Sequence, residues 1–173
     1  MYLKKYHSPI GDLYMRSDGS VITGLWFINV QDEQHDSIET TKISIPIFEK
    51  MTQWLDLYFS GKEPDFMPDY RVEDSTFFRN QVIAIVKQIK YGEVLTYQQI
   101  ADQIAKENGI AKMSAQAVGR ALGWNPICLL IPCHRVVGTN GSLVGYSGGI
   151  EHKIELLKLE GHDMSRFHVP RKN

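Results

Sequence analysis

The sequence is poor in cysteine and has no long apolar run. Cys128 and Cys133 are its only two cysteines, and both lie in the second half. No stretch reaches the roughly 18 uninterrupted apolar residues that a membrane-spanning helix needs, and residues 1–7 lack the apolar core of a signal peptide. We therefore expect a cytoplasmic protein, whose thiols stay reduced.

Metal and nucleotide motifs are also missing. Cys133, His134, His152 and His162 do not show the spacing of zinc ligands, so we predict no metal. The glycine-rich segment 145–149 does not match a phosphate loop, and no cofactor is expected. The remaining histidines that stand alone in polar surroundings are expected at the surface; they are His7 and His35.

Composition and charge favour a soluble globular protein with one basic half. Apolar residues make up 43% and charged residues 23% of the 173 residues. Residues 1–74 hold 7 Lys+Arg and 13 Asp+Glu, a net charge of −6, whereas residues 75–173 hold 12 and 7, a net charge of +5. A basic half suits the binding of a polyanion. The alternative is an ordinary solvated surface, because a net charge of +5 is a modest excess.

The first half, residues 1–74, reads as a small structural domain. Strand-like segments at 2–6, 13–16 and 21–27 are separated by turn sequences, and a polar loop is expected over 29–41. An amphipathic helix follows, with Ser44 as its N-cap and Pro46 in its first turn, and it ends before Ser60. This half contains no catalytic constellation.

The second half, residues 75–173, begins with three predicted helices. The first runs from about residue 76 through Lys90. Thr96 and Gln99 form a capping box for the second, and Ser114 caps the third, over 115–122. Two short helices joined by a tight connection are typical of a helix-turn-helix.

The third of these helices is rich in small residues, which allow its backbone to approach another surface closely. That surface is either a neighbouring helix or the wall of a DNA groove. Its only long polar side chains, Gln116 and Arg120, are four residues apart and share one face. We take these two as the candidate DNA-facing pair.

Residues 131–137 (IPCHRVV) form a predicted strand that carries Cys133 next to His134. A thiolate is a strong nucleophile, and an imidazole within reach is the usual way to generate one; the alternative is a small core cysteine. Cys128 and Cys133 are five residues apart in this apolar, strand-like part of the chain and would point to opposite faces, so no disulfide is expected, and Cys128 is expected to be structural. A hairpin at Asn140-Gly141, a helix from Ile150 to Glu160 and a frayed tail over 162–173 complete the prediction.

Several motifs in order give the chain a clear resemblance to the O6-alkylguanine-DNA alkyltransferases, or methylated-DNA–protein-cysteine methyltransferases. They are SPIG at 8–11, YGEVLTY at 91–97, NP at 125–126, IPCHRV at 131–136, GYSGG at 145–149 and LLKLEG at 156–161. The resemblance implies an α+β protein: a ribonuclease H-like sheet-plus-helix domain, then a helical, winged-helix-like domain with a helix-turn-helix. It implies a monomer that binds double-stranded DNA in the minor groove, flips out O6-alkylguanine (or O4-alkylthymine) and transfers the alkyl group irreversibly to Cys133.

The resemblance also implies a role for each site residue. Cys133 is the nucleophile, His134 its base through a water, and Glu160 the residue that orients the imidazole. Asn125 ties the recognition helix to the reactive segment, and Tyr97 donates to the leaving guanine. The implied DNA and substrate contacts are Ser114, Ala115, Gln116, Ala117, Arg120, Val136, Tyr146, Ser147 and Gly148.

One position departs from the family pattern. The recognition helix usually carries an arginine that inserts into the base stack, and Gln116 stands there in this chain. We expect weaker stabilisation of the flipped state. Two alternatives remain at this point, a non-catalytic protein that binds alkylated lesions and a cysteine hydrolase that turns over.

Overall fold

The structure, a computed structural model, describes residues 1–28, 44–146 and 149–170, which divide into two compact units. The first unit is Met1–Asp74 with Pro126–Cys128, and the second is Ser75–Asn125 with Leu129–Asn173. The loop predicted over 29–41, including His35, and the predicted substrate contacts Ser147 and Gly148 lie outside the described residues.

The first unit is a three-stranded antiparallel sheet with one helix packed on it. Strands β1 (Tyr2–Ser8), β2 (Gly11–Ser17) and β3 (Ile22–Phe27) follow one another as a meander. Helix α1 (Pro46–Phe59) contacts β1 and β2. Backbone hydrogen bonds also join Leu25 of β3 to Pro126 and Cys128, so Cys128 is buried beside the sheet.

The N-cap predicted for α1 is wrong. Ile45 is the N-cap and makes no side-chain cap bond, whereas the Ser44 hydroxyl donates to Glu49 at 3.0 Å. Pro46 at the first helical position explains why the helix begins there without a cap, because proline has no N–H to satisfy and its φ is already helical.

The second unit is built from helices and one very short parallel ladder. Helices α2 (Phe77–Val86), α3 (Tyr97–Glu107) and α4 (Ala115–Gly123) pack against one another. Strand β4 (Leu95–Thr96) pairs in parallel with β5 (Val136–Val137), and α5 (Ile150–Leu159) follows. The capping box at Thr96 and the Ser114 cap are confirmed. Helix α2 ends at Val86 rather than Lys90, because turn-type hydrogen bonds at Gln88 and Ile89 replace the helical ones.

The tail prediction is wrong through residue 168. A 3₁₀ turn at Met164–Arg166 places Phe167 against the cluster of Val137, Leu143 and Leu157. His168 exchanges backbone hydrogen bonds with Gly141 and Leu143. The polar composition of this segment predicts a frayed tail, but the single apolar residue Phe167 is enough to anchor it to the core.

The hairpin prediction is also wrong. Asn140 and Gly141 both have positive φ, 61° and 79°, as a tight turn requires, and Gly138 donates to the Ser142 carbonyl at 2.7 Å. The flanking chain pairs elsewhere, however, because β5 pairs with β4 and Ser142 pairs with His168. The Asn-Gly signal thus predicted the turn but not its strand partners.

Candidate active site

Cys133 begins a 3₁₀ turn, Cys133–Arg135, and does not lie on a strand as predicted. Pro132, at φ −80° and ψ 62°, is the centre of an inverse γ-turn, and the Cys133 amide donates to the Ile131 carbonyl at 2.8 Å. The pyrrolidine ring restricts φ to this region, so proline stops the apolar run from continuing as a strand. Cys133 is only 4% exposed.

Asn125 holds the sulfur of Cys133 through its side-chain amide. It follows α4 after one residue and is itself buried. Its Nδ2 donates to Cys133 Sγ at 3.1 Å and to the Ile131 carbonyl at 3.1 Å. A donor aimed at the sulfur stabilises the thiolate more than the thiol, because hydrogen bonding to the charged form favours that form.

His134 and Glu160 form a buried pair behind the cysteine. His134 Nε2 lies 2.5 Å from Glu160 Oε2, and both side chains are inaccessible to solvent. Desolvation lowers the pKa of His134 below its ordinary value, despite the opposing effect of Glu160, so the imidazole is neutral near pH 7. With Nε2 turned to a carboxylate, the ring proton sits on Nε2 and the lone pair on Nδ1.

Arg135 and the turn before β4 donate hydrogen bonds to the second carboxylate oxygen of Glu160. Arg135 Nε donates to Glu160 Oε1 at 2.8 Å and Gly92 N donates to the same oxygen at 3.2 Å. Burial alone would raise the pKa of Glu160, but His134 and Arg135 outweigh it and hold that pKa well below its usual range. The carboxylate therefore stays ionised and fixes the imidazole.

A pocket of about 700 Å³ opens onto Cys133 within the second unit. That volume lies in the range of small-molecule sites. The β4–β5 ladder positions two of its walls, since Tyr97 follows β4 directly and Gly138 follows β5 directly. Its lining residues are Tyr97, Gln98, Ala115, Gln116, Gly119, Arg120, Leu122, Gly123, Cys133, Gly138, Thr139, Val144, Gly145 and Tyr146.

Tyr97 places its hydroxyl against the opposite wall of this pocket. Its Oη donates toward the carbonyls of Val144 at 3.0 Å and Gly145 at 3.2 Å. Burial first, and then the negative charge of Cys133, raise the pKa of Tyr97 to about 12. An unassisted hydroxyl of this kind is a weak acid.

Helix α4 presents one exposed face at the pocket mouth. Gln116 and Arg120, the predicted DNA-facing pair, are exposed and line the pocket together with Ala115. A Cβ built on Gly119 would meet the Tyr97 ring at 3.8 Å, an ordinary contact, so packing on Tyr97 does not demand glycine there. Val118 is buried on the opposite face, and Leu122 is buried as well but also lines the pocket.

Three other predicted contacts, Ser114, Ala117 and Val136, are not among the residues that line the pocket. Ser114 is the N-cap of α4, Ala117 is half-buried behind its mouth, and Val136 is buried in β5. Cys128 does not line the pocket either; it pairs with β3 in the first unit. Neither cysteine is in a disulfide.

Sequence reasoning missed Lys153, which is fully buried on α5. Its Nζ lies 3.3 Å from both Tyr97 Oη and the Val144 carbonyl oxygen. The available signal was its position on the apolar stripe of α5, one turn before Leu157. A lysine in such a place is almost never fully buried without a partner.

The described part of the chain contains neither a cluster of metal-ligating side chains nor a helix suited to cross a membrane. Across residues 1–28, 44–146 and 149–170, no group of three or more His, Cys, Asp or Glu side chains is placed to hold a metal ion. None of the helices in those ranges is long and apolar enough to cross a membrane.

Comparisons with known proteins agree on one family over nearly the whole chain. A family model described as 6-O-methylguanine DNA methyltransferase, ribonuclease-like domain, matches residues 1–67, and one described as 6-O-methylguanine DNA methyltransferase, DNA binding domain, matches residues 77–162. The methylated-DNA–protein-cysteine methyltransferase of Metallosphaera sedula is 42% identical over 157 residues, 90% of each chain. That of Sulfurisphaera tokodaii is 38% identical over 162 residues, 94% of each chain.

Two solved structures have the same α+β fold. Mycobacterium tuberculosis O6-methylguanine methyltransferase superposes with a TM-score of 0.78 at 37% identity and covers 92% of both chains. The OGT of the same organism in complex with DNA has a TM-score of 0.77 at 36% identity, and covers 96% of this chain and 95% of that one.

Proposed function

The chain belongs to the 6-O-methylguanine DNA methyltransferase family, and we propose that it repairs DNA by transferring the alkyl group of O6-alkylguanine to Cys133. One observation carries the proposal for these residues. Cys133 lines the pocket, and the Asn125 amide donates to its sulfur at 3.1 Å. The adjacent imidazole is backed by a buried carboxylate.

These groups can generate and use a thiolate. His134, neutral and with its lone pair on Nδ1, accepts the thiol proton through a water, and ionised Glu160 stabilises the imidazolium that forms. Asn125 holds the thiolate in place. The sulfur then attacks the alkyl carbon, and the bond from that carbon to O6 breaks. The product is a stable thioether, so each protein molecule reacts once.

The leaving guanine carries negative charge and needs a proton donor. Tyr97 supplies it in our proposal, turning its hydroxyl from the Val144 carbonyl toward the base. Backbone groups of Cys133 and Val136 would read the exocyclic amine. Tyr146, Ser147 and Gly148 would close the pocket over the base.

DNA binding is assigned to α4 and its flanks. An alkylated base must leave the stack to reach a buried sulfur, and a pocket of about 700 Å³ is large enough to receive it. The exposed pair Gln116 and Arg120 stands at its mouth, flanked by Ser114, Ala115 and Ala117. Action as a monomer is part of the same proposal. The same chemistry extends to O4-alkylthymine.

Gln116 stands where the family usually has an arginine. A substitution at this position should separate effects on base flipping from effects on the transfer reaction itself. In Gln116→Arg, a longer charged side chain should stabilise the flipped state and raise the transfer rate on duplex DNA. The rate with the free base should stay constant, because no stack has to be opened. An unchanged transfer rate on duplex DNA would show that the residue at position 116 does not stabilise the flipped state. Lys112→Arg, at an exposed position outside the pocket lining, is the matched control.

Intact mass measurement separates transfer from the two alternatives. Incubation with a duplex that contains O6-methylguanine should add one methyl group to the protein and restore guanine in the DNA. Binding with no mass change would indicate a lesion-binding protein. Repeated turnover without a persistent methyl adduct would indicate a hydrolase.

A further inference from the structure

Arg79 and Trp124 form a stack to which the proposed mechanism assigns no role. The Cζ atom of Arg79 lies 4.2 Å from the centroid of the Trp124 ring, well inside the roughly 6 Å over which a cation is attracted to an aromatic face. Both side chains are half-buried, and both belong to the second unit. The stack joins the first turn of α2 to the C-terminal end of α4.

The position of Arg79 in α2 needs a partner of this kind. Thr76 is the N-cap of α2 and accepts a hydrogen bond from the Arg79 amide, so Arg79 is in the first turn, where the helix dipole disfavours a cation. Across the described ranges, no ion pair with a carboxylate includes Arg79. At Trp124 the guanidinium lies near the C-terminal end of a helix, where the dipole favours positive charge. The aromatic ring and the end of α4 therefore stabilise this cation.

The end of α4 depends on Trp124 for a side-chain anchor. Gly123, Trp124 and Asn125 all lie in the described range 44–146, and none of them has a positive φ, so the left-handed residue that closes many helices is absent at these positions. Gly123 is exposed, and a Cβ added to it would meet nothing within 4 Å. Between buried Leu122 and buried Asn125, Trp124 is therefore the residue whose side chain can fix the direction of the chain.

We propose that the stack of Arg79 on Trp124 positions Asn125, and so keeps the Asn125 amide on the sulfur of Cys133. The backbone N–H of Asn125 donates to the last turn of α4 at 3.0 Å, and its side chain donates to Cys133 Sγ at 3.1 Å. Asn125 follows Trp124 directly, so a displaced ring carries the amide with it, and a hydrogen bond weakens steeply as its angle closes. Arg79 and Trp124 are positioning residues for the proposed transfer, on which this inference rests, because they act through Asn125.

The test measures the rate of Cys133 alkylation by iodoacetamide as a function of pH, followed on the peptide that contains Cys133 because Cys128 is also a free thiol. Trp124→Leu keeps an apolar side chain but removes the aromatic face. The midpoint of its profile should rise by about half a pH unit, the shift expected if the free energy of one half-buried cation–π contact is transmitted to the thiolate. Arg79→Met keeps the aliphatic chain without the charge and should give the same shift. Trp124→Phe keeps an aromatic face for Arg79 and should restore most of the wild-type midpoint.

Double variants test whether the stack acts through Asn125. In the Asn125→Ala protein the amide is already gone, so Trp124→Leu should add no further shift. Trp124→Leu combined with Arg79→Met should shift the midpoint no more than either substitution alone. Lys106→Met is the matched control, because it removes one positive charge from an exposed position on α3 outside the pocket lining, and its midpoint should equal that of the wild type.

Thermal unfolding of every variant is recorded in parallel, and Arg79→Met serves as the test if Trp124→Leu does not fold. A folded Trp124→Leu protein with the wild-type midpoint, or equal shifts in Trp124→Leu and Trp124→Phe, would overturn the inference. A shift in Arg79→Met alone would do the same, since the charge of Arg79 rather than the stack would then act on Cys133. An equal added shift in the Asn125→Ala protein would give the stack a merely structural role. A wild-type protein that reacts with iodoacetamide but takes no methyl group from DNA would refute the proposed function instead.

Discussion

Removal of the Asn125 side chain should make Cys133 a weaker acid, and the structure sets the size of the effect. Nδ2 uses its two hydrogens on two acceptors, Cys133 Sγ and the Ile131 carbonyl, both at 3.1 Å. A hydrogen bond to a charged group contributes about 1.5–3 kcal/mol. At roughly 1.4 kcal/mol per pKa unit, Asn125→Ala should raise the pKa of the Cys133 thiol by about one to two units.

The assay is the rate of Cys133 alkylation by iodoacetamide as a function of pH. Asn125→Ala should move the midpoint of this profile upward without lowering its high-pH plateau, because the nucleophilicity of a thiolate rises with the pKa of its thiol. Asn125→Asp keeps the volume but replaces the donor with an acceptor, so its shift should be at least as large. Asn125→Ala also leaves the Ile131 carbonyl without the hydrogen bond from Nδ2, which should lower the free energy of unfolding by about 1–3 kcal/mol. A folded Asn125→Ala protein with the wild-type midpoint would refute the reasoning.

Three further predictions concern the buried pair and the C-terminal segment. Glu160→Gln should lower the free energy of unfolding by about 3–5 kcal/mol and slow methyl transfer. Glu155→Gln, at an exposed pair with Lys158, is the control and should change the free energy of unfolding by less than about 1 kcal/mol. Equal losses of unfolding free energy for the two variants in urea titrations would contradict this prediction. Stability should decline as the pH falls from about 6.5, because His134 and Glu160 both have lowered pKa values in the folded protein and the unfolded chain therefore takes up their protons first. A flat profile of unfolding free energy against pH would contradict the assignment. Gly141→Ala should detach the C-terminal segment, since the new Cβ would lie 2.1 Å from a backbone oxygen, and hydrogen exchange at the Leu143 amide should rise; Gly109→Ala, also at positive φ but in open space, should leave that amide protected.

The thiol–imidazole pair could be predicted because it depends on two residue types at a short spacing, whereas the alkyl transfer and the roles of Glu160 and Tyr97 were implied by the resemblance to the family. The neighbours Cys133 and His134, the Ser114 cap and the Thr96 capping box are local signals, and local physics decides them. The α+β class could likewise be predicted from strand-like segments in one half and helical periodicity in the other.

Contacts between distant segments could not be predicted in this way. The run around Cys133 has the composition of a strand, but the γ-turn at Pro132 and the parallel pairing of Val136 with Leu95 follow from tertiary structure. Lys153 was missed for the same reason. A lysine among apolar residues indicates a buried ammonium only once the Tyr97 hydroxyl stands beside it.

The central claim is that Cys133 accepts one alkyl group and then stops. A duplex with a radiolabelled methyl group on O6 of guanine, supplied in excess, should transfer one label per protein molecule. After proteolysis, that label should reside on the peptide that contains Cys133 and not on the one that contains Cys128 alone. Cys133→Ser should bind the duplex and take up no label. Label released beyond one equivalent, or label retained by the Cys133→Ser protein, would contradict the account.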